Sequence, residues 1–151
     1  MYDTILVPTD GSRIADGAID RALDLADRFD ATIHALYVVD TERASGAGFG
    51  EDLGVDAEHV IEQLREEGET AVGEVADDAA ARGVDCRTVI REGTPHEVIR
   101  EYAAENGVDC IVMGTHGRTG IDRFLLGSTT ERVLRHADVP VLTVRRDAAV
   151  E

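Results

Sequence analysis

Thr4-Ile5-Leu6-Val7-Pro8-Thr9-Asp10-Gly11-Ser12 is a short apolar run that breaks into a polar turn. The run is too short for a helix and rich in β-branched residues, so it reads as a buried strand. The turn ends on Ser12, which offers an N-cap for a helix. From Arg13 to Phe29 the residues Ala15, Ala18, Ile19, Ala22, Leu25, Ala26 and Phe29 recur at helical spacing. Asp16, Asp20, Asp24 and Asp27 stripe the opposite face. Strand, turn and helix form a unit that the remainder of the chain repeats.

Thr32 to Val39 reads as the second buried strand. Asp40 to Val55 has no period and contains Ser45-Gly46-Ala47-Gly48-Phe49-Gly50, which predicts a mobile loop. Its glycines lack the spacing and the strand-to-helix context of a dinucleotide fingerprint. A long helix is predicted from Asp56 to Arg82, with Val60, Ile61, Leu64, Ala71, Val72 and Val75 inward. Gly83-Val84-Asp85-Cys86 and Gly107-Val108-Asp109-Cys110 echo each other, each with a glycine that stops a helix before a strand. Those strands are Arg87 to Arg91 and Ile111 to Gly114. Between them Thr94-Pro95-His96-Glu97 has the pattern of a capping box, opening a helix to Asn106. Ser128 to His136 is the last helix and Val139 to Arg145 the last strand. The alternation predicts an α/β fold, a single open five-stranded parallel sheet with right-handed crossovers and helices on both faces. The chain reads as one domain over 1–145, with 146–151 as a tail.

Composition removes several chemistries. All 15 basic residues are Arg, so there is no lysine for a P-loop, a kinase or a Schiff base. A phospho-acceptor receiver domain, which places a Lys beside its acidic pocket, is disfavoured for the same reason. The formal net charge of −16 repels nucleic acid and anionic membrane surfaces. No cationic segment precedes an apolar stretch at Met1-Tyr2-Asp3, and no apolar run has the length of a membrane span. A cytoplasmic location is expected. Cys86 and Cys110 then read as small core residues in a reducing compartment, without a disulfide.

In an open α/β sheet, ligands bind beyond the carboxyl ends of the strands, where strand order reverses. Two specialised segments emerge there. One is Pro8-Thr9-Asp10. The other runs from Met113-Gly114-Thr115-His116-Gly117-Arg118 through Ile121 to Leu126 and on to Gly127-Ser128-Thr129-Thr130. Glycines at 114, 117 and 127 let the backbone approach a ligand closely, with N–H groups turned inward. Gly127-Ser128 opens a helix whose free N–H groups favour an anion. Ser128, Thr129 and Thr130 add hydroxyl donors, and Arg118 and Arg123 add positive charge. A phosphate cradle without lysine is the result.

The spacing Gly114-x2-Gly117-x9-Gly127-Ser128 resembles the nucleotide-binding signature of universal stress proteins of the ATP-binding type. The resemblance covers the whole chain. Ile5 to Ser12 is similar to the family's opening strand and turn, and Leu36-Tyr37-Val38-Val39-Asp40 to the end of its second strand, with Tyr37 where a His is common. Val139 to Arg145 is similar to its closing strand. The resemblance implies sheet order 3-2-1-4-5, in which the strands after Cys86 and Cys110 are not neighbours. It also implies ATP as ligand, with ADP and AMP as alternatives, and Mg or Mn held by the phosphates. Asp10 would contact the nucleoside, with Pro8 and Thr9 shaping the wall. Val38 would meet adenine through its backbone, and Met113 and Gly114 would border the nucleotide. Gly117, Gly127, Ser128, Thr129 and Thr130 would hold the phosphates, with Arg118 inside the motif. A homodimer through the last strand and a regulatory or stress-protective role are implied. A protein-interaction module of the same fold and a slow ATPase are the alternatives, and nothing in the sequence aligns an attacking water.

Plainer readings cover the other candidates. His34, on a strand, reads as packed or at an edge; His59, His96 and His136 show no metal spacing, so no zinc site is supported. Asp40, Glu42 and Glu51 read as solvated charges. The lysine-free, acid-rich composition resembles proteins of salt-accumulating halophiles. Acidic stripes such as Glu58, Glu62, Glu66 and Glu69 cost about 0.2–0.5 kcal/mol per like-charged pair on a helix. Salt near 1 M shortens the Debye length to about 3 Å and removes much of that cost. The melting temperature is expected to rise between 0.1 M and multimolar KCl; an unchanged melting curve would remove the halophile reading.

Overall fold

The computed structural model describes residues 2–11, 13–45, 57–115 and 126–145. Strands β1 (Thr4–Pro8), β2 (Thr32–Asp40), β3 (Cys86–Gly93), β4 (Cys110–Gly114) and β5 (Val141–Val144) form one sheet in the order β3-β2-β1-β4-β5. All four pairings are parallel. The helices are α1 (Arg13–Phe29), α2 (Thr41–Ser45), α3 (Ala57–Ala81), α4 (Pro95–Glu105) and α5 (Ser128–His136). The expected five-stranded parallel sheet and its order are therefore both observed.

Alternation along the strands divides the core in two. Ile5, Val7, Ile33, Ala35, Tyr37, Val39, Cys110 and Val112 face α1 and α3, meeting Ala18, Ala22, Leu23 and Ala26 of the first and Val72, Val75 and Ala79 of the second. Leu6, Leu36, Val89, Ile111 and Met113 face the other way, onto Ile99, Tyr102 and Ala103 of α4 and Val133 of α5. Strand β1 lies in the middle with Ile5, Leu6 and Val7 wholly buried. Leu23, omitted from the predicted inner stripe of α1, is part of this core, whereas Phe29 is exposed and stacks edge-on against Tyr2.

The echoed segments perform one task twice. Gly83 and Gly107 adopt left-handed φ of 71° and 59°, a conformation open to glycine without strain. The following Val84 and Val108 donate their N–H groups back to Ala79 and Ala103 and bury their side chains. Both helices thereby stop and turn into a strand. Asp109 does something its counterpart Asp85 does not: its Oδ2 accepts the N–H groups of Asp3 and Thr4 at 2.9 and 3.0 Å, tying β4 to the start of β1.

Several boundaries differ from expectation. Thr41–Ser45, placed in an aperiodic loop, is a short helix, because Asp40 Oδ1 accepts the N–H groups of Glu42 and Arg43. Asp40 is thus a half-buried cap and not a solvated charge. Glu42 also has a partner, accepting a hydrogen bond from the Thr94 hydroxyl at 3.4 Å. That hydroxyl is consequently not the side-chain cap of α4, and the expected capping box does not form, although Pro95 sits in the first turn as read. Strand β3 extends to Gly93 because β2 offers it partners as far as Asp40. Strand β5 starts only at Val141, since Pro140 has no N–H to give and joins through its carbonyl to Ile111. Glu51 and most of the glycine-rich loop lie outside the described residues.

Gly68 of α3 sits on the ring of Tyr37, where a Cβ would stand 2.4 Å from Tyr37 Cδ1. Gly73, on the same helix, faces open space. Replacing a helical glycine by alanine gains about 0.8–1.0 kcal/mol, whereas overpacking a core costs about 1–3 kcal/mol. Gly73→Ala is expected to stabilise by up to about 1 kcal/mol and Gly68→Ala to destabilise. Urea denaturation of both reads the sign.

His34 is buried between β2 and α4, its Nδ1 2.7 Å from the Tyr102 hydroxyl. This is the packed histidine expected. Burial, assisted by Arg87, lowers its pKa below the ordinary histidine value. The unfolded chain then takes up the proton first on acidification. The stability His34 contributes is complete above the unfolded pKa of about 6.5 and is lost as pH falls through the lower folded value. Between pH 7 and pH 5 the wild type is expected to lose more stability in urea than His34→Gln.

Candidate functional site

The sheet order reverses at β1, with β2 and β3 to one side and β4 and β5 to the other. The carboxyl ends of β1 and β4 therefore diverge into connections on opposite faces and leave a crevice between them. Past Pro8, the Thr9 N–H continues the β1–β2 ladder by donating to Leu36 at 2.9 Å. The Thr9 side chain is buried and its hydroxyl accepts the Gly11 N–H at 3.1 Å. Gly11 has φ 81°, so the turn needs a residue free to adopt a left-handed backbone. Asp10, half-buried, stands between these two fixed points.

At the end of β4, Met113, Gly114 and Thr115 are buried. Thr115 donates to Val144 at 3.1 Å, extending the β4–β5 pairing by one residue. Its carbonyl accepts the Gly127 N–H at 2.7 Å, so the chain that leaves at Thr115 is tied back to the same residue at Gly127. Gly127 is the N-cap of α5, extended at φ −62° and ψ 153°, and its carbonyl accepts the Glu131 N–H as the first helical bond. Glycine brings no side chain to cap the helix. The N–H groups of Ser128, Thr129 and Thr130 thus have no intrahelical acceptor, and the positive end of the helix faces outward there.

Thr130 fixes this arrangement. It is only 3% exposed, and its hydroxyl donates to the Gly114 carbonyl at 2.8 Å. The first turn of α5 is pinned to the last residue of β4. Thr130 therefore positions the helix and does not offer its hydroxyl to the crevice; Ser128 is exposed and Thr129 half-exposed. Met113 turns its side chain into the core beside Leu6, Leu36 and Val133, which leaves its backbone for the crevice floor. Val38 lies two residues past Leu36, the partner of Pro8, at the same end of the sheet and half-buried. Pro8, Thr9, Asp10, Val38, Met113, Gly114, Gly127, Ser128, Thr129 and Thr130 are accordingly gathered at the carboxyl ends of three adjacent strands. Gly117 and Arg118, with His116 and Arg123, lie outside the described residues.

Sequence reasoning missed the Thr130–Gly114 bond. Its signal is faint: a threonine at the third helical position, one turn before the buried Val133. Among the described residues no group of three or more His, Cys, Asp or Glu is arranged to hold a metal ion. Cys86 and Cys110 are free thiols, separated by two intervening strands, and burial raises the pKa of each. Among the described residues no helix is long and apolar enough to cross a membrane.

A parallel sheet in this order, with a glycine-opened helix at its switch point, defines a Rossmann-like fold class. Similarity to known proteins narrows the class. The model of the universal stress protein family matches residues 1–145. Universal stress protein MJ0531 of Methanocaldococcus jannaschii is 40% identical over 150 residues, covering 97% of this chain and 84% of that protein. The solved structure of MJ0577 superposes with a TM-score of 0.86 at 31% identity, covering 98% of this chain and 99% of that one. A universal stress protein solved in complex with cAMP superposes with a TM-score of 0.67 at 26% identity over 95% of this chain and 97% of its own. The chain belongs to the universal stress protein family.

Proposed function

We propose that this chain binds ATP in the crevice between β1 and β4 and acts in the cytoplasm as a nucleotide-dependent regulatory or stress-protective factor. The observation that carries the reading is the uncapped start of α5. Three backbone N–H groups open beside the end of β4, behind a residue that has no side chain to obstruct them. The complex of a family member with cAMP supports an adenine nucleotide as the ligand class. Asp10 and the Val38 backbone would take the nucleoside, Met113 and Gly114 its border, and Gly117, Arg118 and Gly127 through Thr130 the phosphates. Mg or Mn would enter with the nucleotide, held by the phosphates.

Nucleotide can regulate only through a difference in affinity between two conformations of the protein. The glycine segment from Gly114 to Gly127 and the segment from Asp40 to Val55 are those on which such a difference would act. A homodimer through β5 fits the same reading. That strand ends the sheet, and Leu142 stands 39% exposed on it, with Leu134 of α5 equally open.

The test is calorimetric titration of ATP with Mg into nucleotide-stripped protein in concentrated KCl. Gly127 has an ordinary φ, so Gly127→Val is compatible with the backbone while its branched side chain stands before the helix amides. Saturable binding by the wild type, weakened about tenfold or more in the variant, is expected. Unchanged affinity in Gly127→Val overturns the site, and absence of binding by folded wild type favours the interaction-module reading.

A further inference from the structure

Strand β3 is the edge of the sheet opposite β5, and among the described residues nothing pairs with its outer side. The Ile33 N–H donates to the Asp85 carbonyl, so residues 85, 87, 89 and 91 turn their backbone groups toward β2. Cys86, Thr88, Ile90 and Glu92 therefore turn their N–H and C=O groups outward. The side chains split by face. On the α3 face, Glu92 is neutralised in an ion pair with Arg65. On the α4 face stand Arg87 and Arg91, flanking the buried Val89.

Those two arginines set the charge of this edge. In a chain of net charge −16, neither forms an ion pair with a carboxylate among the described residues. Arg91 lies over the Tyr102 ring at 5.6 Å, held by stacking and by a long hydrogen bond to the Ile90 carbonyl. Tyr102 is itself held by His34. Arg87 and Arg91 thus stand along one face of an open edge, their Cα atoms about 13 Å apart by strand geometry.

We propose that β3 takes up an extended acidic segment of another protein as a sixth strand, with Arg87 and Arg91 holding two of its carboxylates. Strand addition supplies affinity through the outward amides of β3, and the arginine pair supplies specificity. A second copy of this chain is the wrong occupant, because two β3 edges would bring four arginines onto one ribbon. The spacing dictates the partner's pattern. Its acidic residues must be four apart to fall on one face in register with both arginines, and a separation of three sends them to opposite faces.

The probe is a fluorophore-labelled peptide of about ten residues, alternating Thr and Val, with Glu at its third and seventh positions. Its control moves the second Glu to the sixth position. Anisotropy titrations are made at a salt concentration where circular dichroism shows the protein folded. The matched peptide is expected to bind about tenfold or more tightly than the control. The same loss is expected in Arg87→Gln/Arg91→Gln and in Thr88→Pro, which removes an outward N–H not used by the β2 ladder. Equal binding of the two peptides, no binding of either, or affinity unchanged in both folded variants overturns the proposal.

Discussion

A parallel sheet has no face that tolerates water, and this requirement organises the molecule. Crossover connections put a helix over each pair of strands, so every central strand must be apolar on both sides. β1 meets the requirement most strictly, with Ile5 and Val7 given to one layer and Leu6 to the other, all without exposure. The two layers are not alike. α1 and α3 present alanines and a glycine, which bring their backbones close to the sheet; Gly68 against Tyr37 is the tightest example. The α4–α5 layer is built from fewer, larger groups and contains the His34–Tyr102 pair, a polar contact satisfied within the core.

The same requirement produces the crevice. With β1 central, the chain must cover one face and then the other, and the connections diverge between the carboxyl ends of β1 and β4. Divergence alone would leave an ill-defined gap. Two hydrogen bonds define it: Gly127 N–H to Thr115, and Thr130 hydroxyl to Gly114. Both join the start of α5 to the end of β4. The amide groups at the helix start are consequently fixed by contacts within the core layers, independently of any ligand.

Legibility in the sequence tracks how local each signal is. Strand and helix types follow from periodicity and from the glycines before β3 and β4, since these depend on neighbours a few residues apart. Sheet order came through the family resemblance. Features that depend on a partner far along the chain were illegible. Asp109 reaching Asp3 and Thr4, Thr94 turning to Glu42, and Gly68 meeting Tyr37 each join residues at least thirty positions apart. The capping box failed for that reason. Its local pattern was correct, but a carboxylate supplied by α2 drew the threonine hydroxyl away. The short helix α2 failed differently, because five residues carry no period and only the Asp40 cap reveals it.

The electrostatics of the site also become intelligible. If the site takes an anion as proposed, a chain this acidic cannot attract it through its long-range field, which has the wrong sign. Exposed arginines would not draw it in from a distance where salt is concentrated and would act only in direct contact, because the Debye length at 1 M is about 3 Å. Backbone N–H groups at a helix start escape both difficulties. They carry no net charge to be offset by the acidic surface, and they act by direct contact, inside the screening distance. Their direction is set by Thr130 in the core, so no side chain has to be ordered when a ligand arrives. A glycine at the cap completes the arrangement, since Ser or Asp at that position would satisfy one of those donors internally and leave fewer for an anion.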